Sequence, residues 1–249
     1  MRRLVAAVRM IYSCAFIALY LIIVGTPVLT YCRIARNPRL ALYLTWILDR
    51  MVLFQAGVRV QAEGLEKLKS GQGYIFIANH RSFIDILALF KILPGDFRFL
   101  GKKEVFKIPA VGFALRTMGM IEVDRSDHEA ATRSIERAAG ELSAGRSITL
   151  FPEGTRSRMK TMLPFKKGAF VLAIQAQVPI VPITILGADY TLQPDTMQLL
   201  PGTVRIIIHD PIETKGLTLD DRGDLLERAR KVIEEPLMSG LAQEAVNRP

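Results

Sequence analysis

The chain has 249 residues, half of them hydrophobic, and its 33 Lys and Arg against 24 Asp and Glu give a net charge of +9. That length suits one domain with an appendage, and the basic balance suits nucleic acid, anionic lipid or a phosphorylated small molecule. There is no nucleic-acid motif, and the apolar excess lies in residues 1–57. Lipid is therefore the expected partner, and nucleic acid is not.

Met10 to Leu29 is a run without charge. As a helix it would be about 30 Å long, enough to cross a bilayer core. Arg2, Arg3 and Arg9 precede it and Arg33, Arg36 and Arg39 follow, so charge leaves its orientation open. Gly25-Thr26-Pro27 is a poor cleavage site for a signal peptide. A second apolar stretch, Leu40 to Ala56, contains Asp49 and Arg50, which suits a helix lying on the membrane or packed on the domain. Residues 1–57 are thus expected to form a hydrophobic two-helix membrane-binding segment, a hairpin dipping into one leaflet, followed by an α/β domain over 58–249. Cys14 and Cys32 fall in the hairpin and read as packing residues rather than a disulfide pair. Neither they nor the three histidines have zinc spacing.

From Val58 short apolar runs alternate with helical patterns. Strands are expected at Val58–Ala62 and Tyr74–Ala78, a helix from Phe83 to about Lys91, then strands at Phe97–Leu100 and Met120–Val123. His128 to Leu142 carries a helical stripe of Ala131, Ile135, Ala138 and Leu142. A strand at Ile148–Phe151, a helix at Gly168–Ala176, strands at Ile180–Leu186 and Val204–Ile208, and a helix from Leu219 to Glu235, stopped by Pro236, complete the chain. The alternation predicts an α/β fold, a mixed sheet layered with helices. Pro179 and Pro182 place Val178–Ile183 at a sheet edge or a strand start. Its apolar side chains suit core packing more than an acyl channel.

Chemistry concentrates in Asn79-His80-Arg81-Ser82-Phe83-Ile84-Asp85, directly after a buried strand. A histidine accepts a proton near neutral pH, and a carboxylate on its other nitrogen fixes the tautomer and steadies the imidazolium. Asp85 can serve His80 only across a tight turn, because five residues of regular helix leave the side chains about 140° apart. Ser82 and Asp85 also fit a capping box, and His80 also fits a hydrogen-bonded loop residue. In Phe151-Pro152-Glu153-Gly154-Thr155-Arg156-Ser157-Arg158, Gly154 permits a sharp turn, and the arginines and hydroxyls make a phosphate cradle or a solvated basic loop. Lys102 and Lys103, between Gly101 and Gly112, reach the same phosphate or form a solvated helix face. His128 and His209 are expected at the surface and at a strand end.

In this order, Asn79–Asp85, Gly101–Gly112, Phe151–Arg158 and Val178–Ile183 resemble the 1-acylglycerol-3-phosphate acyltransferase family of glycerolipid acyltransferases. The resemblance implies that His80 deprotonates the free hydroxyl of lysophosphatidic acid, which attacks the thioester of acyl-CoA or acyl-carrier protein and yields phosphatidic acid. It implies that Asp85 orients His80, that Arg156 with Glu153, Gly154 and Thr155 holds the glycerol-phosphate end, and that Lys103 assists. No metal or organic cofactor is implied, and the expected place is the cell inner membrane, on its anionic surface, with the site facing the cytoplasm. The absence of a G-x-S-x-G elbow agrees with direct transfer. Branches acting on glycerol 3-phosphate, other lysophospholipids or lyso-ornithine lipid share the His and Asp, so the acceptor stays open. A non-catalytic lipid-binding protein is the reading from another class.

Overall fold

The computed structural model describes residues 2–124, 128–159, 161–192, 195–196 and 198–239. The apolar amino end forms one nearly continuous helix: α1 (Arg2–Tyr20), a π turn (Leu21–Gly25) and α2 (Thr26–Ile34). Pro27 accounts for the π turn. Lacking an N–H, it leaves a carbonyl of the preceding turn without its rung. The chain widens there, and both the Thr26 N–H and Oγ1 bond to the Leu21 carbonyl, the hydroxyl at 2.8 Å. Val5–Ile34 has a mean hydropathy of 2.2, is long enough to cross a membrane and is mostly exposed. Cys14 is exposed and Cys32 buried, and both are free thiols.

Helix α3 (Arg39–Ala56) folds back on the first, with the Tyr20 hydroxyl bonded to the Leu44 carbonyl at 3.1 Å. It packs on the domain, as its charged pair suggested. Asp49 is buried, while the Arg50 guanidinium lies 3.4 Å from the Trp46 ring centroid.

The domain runs β1 (Val58–Glu63), β2 (Ile75–Ala78), α4 (Ile84–Ile92), β3 (Phe97–Lys102), α5 (Lys103–Phe106), α6 (Pro109–Thr117), β4 (Ile121–Val123), α7 (His128–Ser143), β5 (Ser147–Leu150), α8 (Gly168–Ala176), β6 (Ile180–Leu186), α9 (Ala188–Thr191), β7 (Gly202–Ile208) and α10 (Arg222–Met238). Seven strands form one sheet in the order β1-β7-β6-β2-β5-β3-β4, with every pair parallel except β6 and β7. The expected mixed sheet is present. Side chains of β2 alternate between its faces. Phe76 and Ala78 join a core with α3 and α4, and Ile75 and Ile77 join a second core with α7, α8 and α10. Burial on both faces explains the unbroken apolar runs.

Two expectations need correction. Pro179 stands directly before the first residue of β6, a strand start as expected, but the strand is internal rather than at an edge, and all seven of its residues are buried. Pro182 is tolerated because its carbonyl accepts the His209 N–H at 3.0 Å while its missing N–H faces the point where β7 ends. Helix α10 begins at Arg222, after a 3-10 turn over Leu219–Asp221, and passes through Pro236 to Met238. Proline in the last turn breaks one rung but cannot disturb turns beyond it. The side chains of His128 and Ala131 lie outside the described residues, whereas Ile135, Ala138 and Leu142 face the second core as expected. His209 directly follows β7 and is half-buried, with Nε2 2.9 Å from Thr184 Oγ1.

Strands β2, β5 and β3 are mutually parallel, so their carboxyl ends share one edge of the sheet. Residues 79–83, the loop beginning at Phe151 and Lys103 therefore leave from the same side, the edge where α/β proteins place ligands.

Candidate active site

Asn79 closes strand β2 by imitating one more rung of the ladder. Its side-chain amide donates to the Ile185 carbonyl at 2.9 Å, and its oxygen accepts the Ile185 N–H at 2.8 Å. The chain then turns sharply into α4, and the turn brings Asp85 back to the histidine: His80 Nδ1 lies 2.8 Å from Asp85 Oδ2. That oxygen also accepts the N–H groups of Arg81 at 2.7 Å and Ser82 at 2.8 Å. Asp85 is fully buried, whereas the His80 side chain keeps 12 % of its surface. With Nδ1 held by the carboxylate, Nε2 is the nitrogen left to take a proton.

The ring is fixed on its face as well. Phe151, the residue after β5, stacks on His80 with centroids 3.9 Å apart and planes at 12°. The helical turn α9 braces the backbone: Ser82 Oγ donates to the Leu192 carbonyl at 2.8 Å, and Arg81 pairs with Asp189 at 3.5 Å.

The basic loop is tied to the same turn by backbone, with the Ser157 N–H bonded to the His80 carbonyl at 2.8 Å. Gly154 has φ of +79°, which permits the bend without a Cβ clash. Thr155 is exposed and Arg156 half-buried, its guanidinium 4.1 Å from the centroid of the exposed Phe83 ring. Arg158 is exposed and pairs with Asp195 at 2.9 Å. Lys103 Nζ lies 2.6 Å from Asp124 at the foot of α5.

Glu153, expected at the glycerol-phosphate end, is buried beneath the loop. It is 3 % exposed, and its two oxygens accept the N–H groups of His80 at 2.8 Å and Leu163 at 2.7 Å. Burial raises its pKa, against the lowering effect of those two bonds. Its position makes it a brace between the histidine and the far end of the basic loop.

Behind Phe151 lies a mainly apolar cavity of about 250 Å³, walled by Leu100, Val123, Ile135, Leu150 and Leu172, with Gly154 and Lys166 on its lining. Among the described residues, no group of three or more His, Cys, Asp or Glu could hold a metal ion. Sequence reasoning named Asn79 and Phe151 only as members of their motifs, with no role, and missed Asp124. Each acts across a strand pairing or between segments far apart in the chain, and no local spacing announces such a partner.

These features define an α/β protein with an imidazole–carboxylate pair beside a basic loop, joined to an exposed apolar helix. The profile of the Acyltransferase family matches residues 59–186, which takes in every residue just described up to Ile185, and the chain belongs to that family. A chloroplastic 1-acyl-sn-glycerol-3-phosphate acyltransferase of Brassica napus is 34% identical over 227 residues, covering 90% of this chain and 63% of the relative. The human 1-acyl-sn-glycerol-3-phosphate acyltransferase alpha is 35% identical over 175 residues, covering 70% of this chain and 62% of the relative. The chain thus spans less than two thirds of the length of these two relatives. Among solved structures, the 1-acyl-sn-glycerophosphate acyltransferase PlsC of Thermotoga maritima superposes with a TM-score of 0.81 at 24% identity, covering 97% of this chain and 98% of that one. The likeness establishes a shared fold.

Proposed function

We propose that the protein is a 1-acylglycerol-3-phosphate O-acyltransferase, moving a fatty acyl group from an acyl thioester to the free sn-2 hydroxyl of lysophosphatidic acid. The observation that carries this reading is the His80–Asp85 contact of 2.8 Å in a turn whose His80 carbonyl is bonded to the Arg156 loop. Relatives named for this reaction, at 34% and 35% identity, support the choice of acceptor.

In this mechanism His80 Nε2 takes the proton of the sn-2 hydroxyl as its oxygen attacks the thioester carbonyl carbon. The tetrahedral oxyanion collapses, the C–S bond breaks, and the thiolate leaving group takes the proton back from the imidazolium. Asp85 holds the tautomer and stabilises the imidazolium. Arg156, with Thr155 and the Gly154 turn, receives the phosphate, Lys103 assists as a further donor from its pair with Asp124, and Glu153 positions His80 from behind. The apolar cavity behind Phe151 has the chemistry to accept part of an acyl chain. The steps balance with the acyl donor as co-substrate, acyl-CoA or acyl-carrier protein, and use no metal or organic cofactor.

Residues 1–57 would act as the membrane anchor and 58–249 as the catalytic domain. The exposed apolar span Val5–Ile34 supports attachment to a membrane. The cytoplasmic face of an inner membrane, with its anionic surface, suits the basic chain and its thioester donor.

The test is a donor and acceptor panel with purified protein. Phosphatidic acid is the expected main product, formed from lysophosphatidic acid at least about tenfold faster than glycerol 3-phosphate or lyso-ornithine lipid is acylated. Faster acylation of lyso-ornithine lipid would overturn the acceptor, and no acylation of any of these acceptors would overturn the reading.

A further inference from the structure

A cleft of about 290 Å³ opens where the apolar helix meets the domain, lined by Arg33, Arg36, Arg98, Thr117, Glu141 and Arg146. Arg98 stands near the start of β3 and Lys103 just past its end, so the cleft and the catalytic edge lie at opposite ends of that strand. The separation is roughly 15 Å by strand rise.

The charges in the cleft do not cancel. Asp96 pairs with both Arg98 and Arg146, and Glu141 lies 3.4 Å from Arg98 and 3.1 Å from Arg146. Two carboxylates thus answer two guanidiniums. Arg33 and Arg36, both exposed at the end of α2, have no acidic partner among the described residues. Thr117 lines the same cleft at 8 % exposure, and its hydroxyl is buried without a hydrogen-bond partner. Arg36 also sits at φ of +51°, a conformation most L-residues avoid.

We propose that this cleft binds a phosphate group, at a site separate from the catalytic centre. Arg33 and Arg36 grip it with their guanidinium forks, which match phosphate oxygens in pairs, and Thr117 offers a hydroxyl from below. The ligand chemistry is shared by an anionic phospholipid headgroup and by free phosphate. Position favours the lipid: the arginines end the apolar span Val5–Ile34, where a membrane-inserted helix reaches headgroup depth. A phosphate held there would fix the domain's distance and tilt against the lipid surface.

The experiment compares wild type with the Arg33→Lys/Arg36→Lys protein, which keeps the charge and loses the forks. Partition is measured onto phosphatidylcholine vesicles with and without about 20 mol% phosphatidic acid, and melting temperature with and without about 10 mM inorganic phosphate at constant ionic strength. The expected result is a preference for anionic vesicles that falls about fivefold or more in the lysine protein, whose partition onto neutral vesicles is unchanged. A phosphate-induced rise in melting temperature, present in wild type and lost in the variant, would support the site with soluble phosphate as its source. Equal vesicle preference in the two proteins, with no differential response to phosphate, would reduce the cleft to diffuse surface charge and overturn the proposal. Activity on detergent-dispersed substrate serves as the folding control and should match in both.

Discussion

Asp85 Oδ2 receives three donors, His80 Nδ1 and the N–H groups of Arg81 and Ser82, all within 2.8 Å. In the sequence, helix capping and support of a base are alternative explanations of the same aspartate. In the folded chain the turn that lets Asp85 accept the Arg81 and Ser82 N–H groups ahead of α4 is the turn that carries it to the imidazole. Asp85→Asn should therefore act twice. An amide cannot serve three donors as a carboxylate does, so kcat should fall roughly 1,000- to 10,000-fold, and stability should fall by about 1–3 kcal/mol. Steady-state kinetics and thermal denaturation of the same preparation check both. A fall in stability alone would leave Asp85 as a brace of the turn. Phe151 and Asn79 teach the converse. Each fixes the histidine through a strand 70 or more residues away, and their neighbourhood in the chain carries no trace of that partner.

Among the elements, α3 holds the most unusual charge. Asp49 is buried with Oδ2 unpartnered, and burial pushes its pKa up to about 8, only partly opposed by Arg50. A carboxyl whose pKa is higher folded than unfolded binds more protons in the native state. Its contribution is thus fully present below about pH 4 and is lost as pH rises toward 8. Wild type should melt lower at pH 8 than at pH 5 by more than the Asp49→Asn protein does, and thermal scans of both at the two values measure the difference. Equal slopes would mean that Asp49 is solvated or paired. Elements with a clean local pattern were legible: α8 and β6 fall at the residues their apolar runs predict, and the alternation of strands and helices announced the sheet. The place of β6 inside the sheet was not legible, because a proline's cost depends on which neighbour its missing N–H faces, and that is a property of the sheet.

For the molecule as a whole, an exposed apolar helix and the arginines that flank it divide membrane attachment between hydrophobic burial and charge. The first does not weaken with salt and the second does. Ile22 and Ile23, 69% and 63% exposed, sit on the long helix away from the domain. Changing both to Lys should release the protein from vesicles in about 0.5 M NaCl, conditions in which wild type stays bound, as flotation would reveal. The His80–Asp85 pair and the basic loop could be picked out of the sequence because their residues lie close together in the chain. The two backbone bonds of Glu153 could not, since they join His80 and Leu163 across segments that no local spacing connects.

Acyl transfer by purified His80→Ala protein is the most direct measurement. With an imidazole taking the hydroxyl proton, product formation from lysophosphatidic acid should drop by about 100- to 10,000-fold in a protein that still unfolds in one cooperative thermal transition. Wild-type turnover in that protein would contradict the assignment of His80 as the base.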